Sequence, residues 1–354
     1  MNTIIENLLQ TLNYENKINL LQHFDKLISQ FISTTGLNKN IYIFMDNNVI
    51  QDAKFVNQNQ NYADKDKIRI IRFISVYLFF DFIKKYTKLN IKLVISPVIF
   101  YELSGRKKIA NEKAYDEQVH NILQILSIFN VKINFYKFNS YSELNNILEK
   151  VIEDEIKIIA EINNITLNDW TIQLKDGNKE LLPFTKSFDL IRKKLDLQYF
   201  QIFYVNFILA SKIEKFILEN KNNDTSIRKK YLSNINNFPL SSLIKVKKNS
   251  LFGLGDIELF QECDLSYQYA INSKDVLCAI TFDDTLYKIL LKRQTYVATH
   301  KPIVIGTDSK IEISKKLSDF FINQEKLYDI ELKERKFLGQ VGEYYEKVIT
   351  KIIV

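Results

Sequence analysis

Four stretches of this chain place an acid where an apolar run gives way to polar residues. IYIFM (41–45) breaks at Asp46, and IKLVIS (91–96) passes through Pro97 into PVIFYEL, which carries Glu102. The glycine-containing turn LFGLG leads to Asp256, and VLCAIT (276–281) delivers Asp283 and Asp284. Short runs rich in β-branched and aromatic residues read as buried strands, and open α/β sheets hold their ligands beyond the carboxyl ends of such strands. Hard oxygen ligands converging there suit Mg²⁺ or Mn²⁺, which bind through a few carboxylates and bridge to phosphate. Such an ion can activate water and stabilise a leaving oxygen in phosphodiester hydrolysis. Two carboxylates without a metal would instead raise one another's pKa, as in glycoside cleavage, and four acids favour the metal. Each acid also has a plainer reading: Asp46 or Asp256 as a helix N-cap, Glu102 as a surface residue, and Asp284 as a solvated neighbour of Asp283.

The elements that must position these acids are read from periodicity. Ile4, Ile5, Leu8, Leu9 and Leu12, then Leu20, Leu21, Phe24, Leu27, Ile28 and Phe31, have the spacing of two amphipathic helices, with Gly36 as a stop. RIIRFISVYLFFDFIKKY (69–86) lies in a helical region between the first two strands. From about 140 to 249 helical patterns dominate, interrupted by TIQLKDGNKELLPF, a hairpin pattern around Gly177. LQYFQIFYVNFILAS (197–211) is uncharged for 15 residues, below the ~20 needed to span a bilayer, and reads as a buried helix. KPIVIG (301–306) reads as a further strand, followed by a charged helical tail.

Composition bounds the classes. With 46% hydrophobic residues the chain can build a substantial core, while 8 Gly and 4 Pro in 354 residues supply little turn chemistry for a many-stranded sandwich. Cys263 and Cys278 show no metal-ligand spacing and build no disulfide framework, so a reducing cytoplasm is expected. The amino terminus lacks the pattern of a secretory signal, and no membrane partner is expected. A formal charge of +7 mildly favours a polyanionic partner.

With these pieces in order, the sequence resembles the PIN-domain nucleases. FMDNNVI around Asp46, ISPVIFYEL ending near Glu102, GDIELF with Asp256 and AITFDDTL around Asp283 match the family's succession of acids. Thr281-Phe282-Asp283 fits its Thr-x-Asp, which selects Asp283 over Asp284 as the ligand, and Asn48 fits the polar position just after the first acid. The resemblance implies a parallel sheet flanked by helices, and cleavage of RNA that depends on Mg²⁺ or Mn²⁺ held by Asp46, Glu102, Asp256 and Asp283, with Asn48, Thr281 and Asp284 in support. The resemblance covers a nuclease domain at 41–139 and 250–308 and implies a helical insertion at 140–249; the N-terminal helices at 1–40 and the helical tail at 309–354, read from periodicity, lie outside it. Arg228, Lys229, Lys230, Lys245, Lys247 and Lys248 precede the Asp256 turn and are the candidate phosphate contacts. The Arg106-Lys107-Lys108 cluster reads as a solvated face. The alternatives are an inactive PIN-like scaffold binding RNA or protein, and a structure-specific DNA nuclease; a protein regulator is a further candidate partner. Arg293 and His300 have the spacing of another ribonuclease class, but their β-prone context keeps them off one helical face. His23 and His120 read as structural.

Overall fold

The structure is a computed structural model that describes residues 2–35, 40–58, 62–164, 171–173, 179–181, 195–200, 245–247, 249–263, 275–287, 290 and 324–353. The chain forms two compact units, Met1–Tyr141 with Cys263–Val354, and Ser142–Glu262. Asp46, Glu102 and Asp283 belong to the first and Asp256 to the second, which extends past the 249/250 boundary expected for the insertion.

In the first unit, helices α1 (Thr3–Gln10) and α2 (Tyr14–Thr35) precede strand β1 (Asn40–Met45). Helices α3 (Asn47–Gln58) and α4 (Lys67–Tyr86) lead to β2 (Asn90–Ile95), then α5 (Pro97–Leu103) and α6 (Glu112–Leu126) to β3 (Lys132–Phe135). The chain returns to this unit with β8 (Asp275–Ile280), α9 (Gln324–Tyr344), a π-helical turn (Tyr345–Ile349) and α10 (Thr350–Ile353). Sheet order is β3-β2-β1-β8, with all neighbouring strands parallel. A mixed α/β architecture with a parallel sheet flanked by helices is therefore what the chain adopts. The order reverses at β1: β2 and β3 extend the sheet to one side and β8 to the other. A crevice at the carboxyl ends of strands is characteristic of such a reversal.

The strands are buried on both faces near their carboxyl ends. Ile43, Phe44 and Met45 in β1 and Leu93, Val94 and Ile95 in β2 are all buried, the pattern expected of a covered parallel sheet. Helix α4 is apolar nearly all round and lies in the core. Its buried Ser75 donates to the carbonyls of Ile71 at 2.8 Å and Leu20 at 3.1 Å, so the hydroxyl is satisfied where α4 crosses α2. The C-terminal helix joins the same core, stacking Phe337 on Phe31 with centroids 5.8 Å apart and directing the Tyr344 hydroxyl to Asp81 at 3.1 Å.

In the second unit, α7 (Tyr141–Asn164) is followed by the antiparallel pair β4 (Thr171–Gln173) and β5 (Lys179–Leu181), a second pair β6 (Lys245–Lys247) and β7 (Ser250–Phe252), and α8 (Leu254–Glu262). The hairpin pattern around Gly177 corresponds to β4 and β5. Residues 198–200, expected to open a helix, form a bend instead. Asp154, fully buried on α7, accepts the successive amides of Gln198 at 2.8 Å, Tyr199 at 2.6 Å and Phe200 at 2.9 Å. A buried carboxylate needs such donors. Phe200 is buried as expected, whereas Ile202, Phe203, Val205, Phe207 and Ile208, like the KPIVIG strand, lie outside the described residues.

Candidate active site

Register explains how the first-unit acids meet. Met45 pairs with Ile280, and the ladder continues one step further as the Asp46 amide donates to the Ile280 carbonyl at 2.9 Å. The next residue of that strand, Thr281, therefore stands beside Asp46. Its hydroxyl donates to Asp46 Oδ2 at 2.7 Å and accepts the Asp283 amide at 2.9 Å. Thr281 is fully buried, and its own backbone is gripped by Gln30 of α2, whose Nε2 donates to the Thr281 carbonyl at 2.9 Å while Oε1 accepts the Thr281 amide at 3.3 Å. Thr281 thus links the two acids, and a buried glutamine holds Thr281.

Each acid also caps the turn that follows it. Asp46 Oδ1 accepts the Asn48 amide at 3.2 Å at the start of α3, and Asp283 Oδ1 accepts the amides of Thr285 and Leu286, both at 2.8 Å. The capping reading and the site reading of Asp46 are compatible, because a carboxylate has about four acceptor positions and these bonds use only part of them. Glu102 comes from α5, begun by Ser96 accepting the Ile99 amide at 3.2 Å and by Pro97 in the first turn. Its carboxylate accepts from Asn47 Nδ2 at 3.0 Å and from Arg106 Nη2 at 2.7 Å. Asn47 follows Asp46 directly, so these contacts tie Glu102 to the end of β1.

The electrostatics couple Asp46 to each of its neighbours in turn. Burial pushes the Asp46 carboxyl above the usual carboxylate range; the Thr281 and Asn48 bonds pull it back, and the charge of Asp283 raises it. Burial likewise raises Glu102, opposed by Arg106 and reinforced by the charge of Asp46. Asp283 thus acts on Asp46, and Asp46 on Glu102.

The remaining candidates are placed as follows. Asp284 is exposed and ion-paired to Lys26 of α2. Asn48 Nδ2 approaches Asp46 Oδ2 at 3.5 Å, the outer limit of a hydrogen bond. Asp256 occupies the first turn of α8 in the second unit and is half-buried. On the same helix the buried Glu258 accepts from the Tyr199 hydroxyl at 2.6 Å. Lys247 is exposed on β6 and Lys245 lies on the same strand, while Arg228, Lys229, Lys230 and Lys248 fall outside the described residues, as do Arg293 and His300. Among the described residues no set of three or more His, Cys, Asp or Glu side chains is gathered as a metal-binding group.

Sequence reading missed Asn47, Gln30 and the role of Arg106. Asn47 and Gln30 look like ordinary polar residues of helices; the recognisable signal was the run of two asparagines after Asp46. Missed too were the ion-paired cations beyond β8: Lys26 pairs with Asp284, and Arg72 Nη2 donates to Asp52 Oδ1 at 3.2 Å. Arg72 of α4 lies over the Phe282 ring at 5.8 Å, and its Nε comes within 2.8 Å of Asp52 Oδ2 without hydrogen-bond alignment. His23 meets the edge of the Phe282 ring, and burial together with the charges of Lys26 and Arg72 pushes its imidazole below its usual pKa.

Compared with known proteins, the chain matches no family model, no curated protein and no solved structure.

Proposed function

We propose that this chain is a nuclease that uses Mg²⁺ or Mn²⁺ to hydrolyse phosphodiester bonds, with RNA as its substrate. The observation that carries the reading is geometric: Asp46, at the end of the central strand and beside the reversal of strand order, is joined to Asp283 through the Thr281 hydroxyl and adjoins Glu102 through the neighbouring Asn47. Burying like charges near one another is costly unless something compensates them, and a divalent cation is the natural compensator. The donors fit a hard ion, because Mg²⁺ is ordinarily held by one or two carboxylates together with waters and substrate phosphate. Asp46 and Asp283 would hold it, with Glu102 beside them. When bound, such an ion activates the attacking water and stabilises the leaving oxygen.

The chain's own residues prepare that arrangement. Thr281 orients Asp46 and Asp283 through one hydroxyl, and Gln30 fixes Thr281 by two bonds to its backbone. The Asn47 amide turns Glu102 toward the end of β1. Cys263 and Cys278 are both buried, which suits a reducing cytoplasm, and no described helix is long and apolar enough to cross a membrane.

One observation favours a second reading, an inactive scaffold that binds RNA or protein: the three acids already have structural hydrogen-bond partners, and no three-ligand group is gathered among the described residues. Incubating the purified chain with end-labelled RNA and DNA of one sequence, in Mn²⁺ or in EDTA, separates the readings. The proposal expects Mn²⁺-dependent cleavage of RNA. Cleavage of DNA alone would indicate the structure-specific DNA nuclease, and absence of all cleavage would leave the scaffold.

A further inference from the structure

Helix α5 ends in a turn that brings a cation back onto the acid site. The Gly105 amide donates to the Glu102 carbonyl at 3.1 Å and the Arg106 amide to the Tyr101 carbonyl at 2.9 Å. These are the paired bonds of a Schellman ending, which requires one left-handed residue directly after the cap. Gly105, with φ +72°, fills that position. The motif asks for no second left-handed residue, yet Arg106 has φ +59°. A residue with a Cβ is crowded there against its own backbone, and such a conformation persists only where the surroundings impose it.

What the conformation brings about is the contact with Glu102. Arg106 Nη2 stands 2.7 Å from Glu102 Oε1 although the helix has already ended at Leu103. The residue in this place ordinarily packs an apolar side chain on the last helical turn. Here a guanidinium covers a carboxylate. The Glu102 side chain is 9% exposed and that of Arg106 19%, so the pair is largely shielded from water and an exchange of partners there has leverage that an open surface pair lacks. Asp46 adds its negative charge to the same place.

We propose that Arg106 is the internal counter-ion of the acid site: it occupies Glu102 while no divalent cation is bound and competes with the cation for that carboxylate. The inference rests on the nuclease reading and adds a control to it. A guanidinium and a divalent cation offer the same compensation to the Glu102–Asp46 repulsion, so at Glu102 they are alternatives. Cation binding then requires Arg106 to turn away, and a planar fork of donors released beside the site suits a phosphate of the nucleic acid.

The test is Mn²⁺ affinity, measured by calorimetry on the full chain without nucleic acid. Two variants are used, Arg106→Gln and Arg106→Gly; the second accepts φ +59° without crowding, so loss of charge is separated from loss of fold. Both should bind Mn²⁺ about tenfold more tightly than the wild type, an ordinary size for coupled events, and the gain should vanish when Glu102→Gln is combined with either. Unchanged or weaker Mn²⁺ binding in the Arg106 variants overturns the proposal, as does a gain that persists alongside Glu102→Gln. If the wild type binds Mn²⁺ and Asp46→Asn does not, such a failure leaves the nuclease reading standing. Failure of wild type and variants alike to bind Mn²⁺ overturns both.

Discussion

Replacing Thr281 by valine nearly preserves the side chain's shape while deleting one hydroxyl, and that hydroxyl serves two acids. It donates to Asp46 Oδ2 at 2.7 Å and accepts the Asp283 amide at 2.9 Å, from a residue with no solvent exposure. A hydrogen bond to a charged partner contributes about 1.5–3 kcal/mol, and an orphaned buried amide costs about 1–3 kcal/mol. Asp283 is only half-buried, so water relieves part of the second loss, and we expect Thr281→Val to destabilise the first unit by about 3 kcal/mol at neutral pH. For a unit of this size that is a fall in melting midpoint of about 6–12 °C. The sign of the pH dependence follows from Asp46. Its carboxyl is raised by burial, and the Thr281 bond lowers it by favouring the ionised form. The cost of Thr281→Val is thus fully present where Asp46 is ionised in both proteins and shrinks as pH falls from the variant's still higher folded value to the wild type's raised one, below which the charge-dependent part is gone. Thermal melts of both proteins across this range, followed by circular dichroism, measure the difference. A loss below about 0.5 kcal/mol, the scale of an indifferent surface change, or a loss that does not shrink on acidification, would refute this placement of Thr281.

Gln30→Leu strands the amide and carbonyl of Thr281, two buried backbone groups, and should cost about 2–4 kcal/mol in urea titrations; a near-neutral result would mean that Gln30 does not hold the β8 end. Phe79 is fully buried and meets Phe31 and Phe80 edge to face at 5.3 and 5.1 Å. Phe79→Ala should cost about 3–5 kcal/mol, and a loss under about 1 kcal/mol would contradict the packing of α2 on α4.

The central strands were legible because each is a short, nearly uninterrupted apolar run closed by a polar or helix-starting residue: Met45 before Asp46, Ile95 before Ser96-Pro97, and Ile280 before Thr281. β3 was not, because KINF alternates Lys132 and Asn134 with two apolar residues, the pattern of a half-buried edge strand too short to stand out. The acids could be proposed as a set because strand ends in a parallel sheet share one edge. Their partners could not, since Gln30 reaches Thr281 across 251 positions of sequence and nothing local marks it. Arg106 reads as one of three consecutive cations, and only the double left-handed turn sends it back to Glu102. The hydrogen bonds of 199–200 were hidden for the same reason: their acceptor, Asp154, sits on α7.

The proposed chemistry depends on Asp46. An amide at this position keeps the side chain's shape and removes the charge that would hold a cation, and it relieves both the burial of that charge and its repulsion with Asp283 and Glu102. The most direct measurement is cleavage of end-labelled RNA by wild type and Asp46→Asn side by side in Mn²⁺, with melts of both proteins. Cleavage by the wild type and none by the mutant is expected, with a metal-free melting midpoint for the mutant equal to or above that of the wild type and a smaller rise on adding Mn²⁺. Undiminished cleavage by Asp46→Asn would contradict the account.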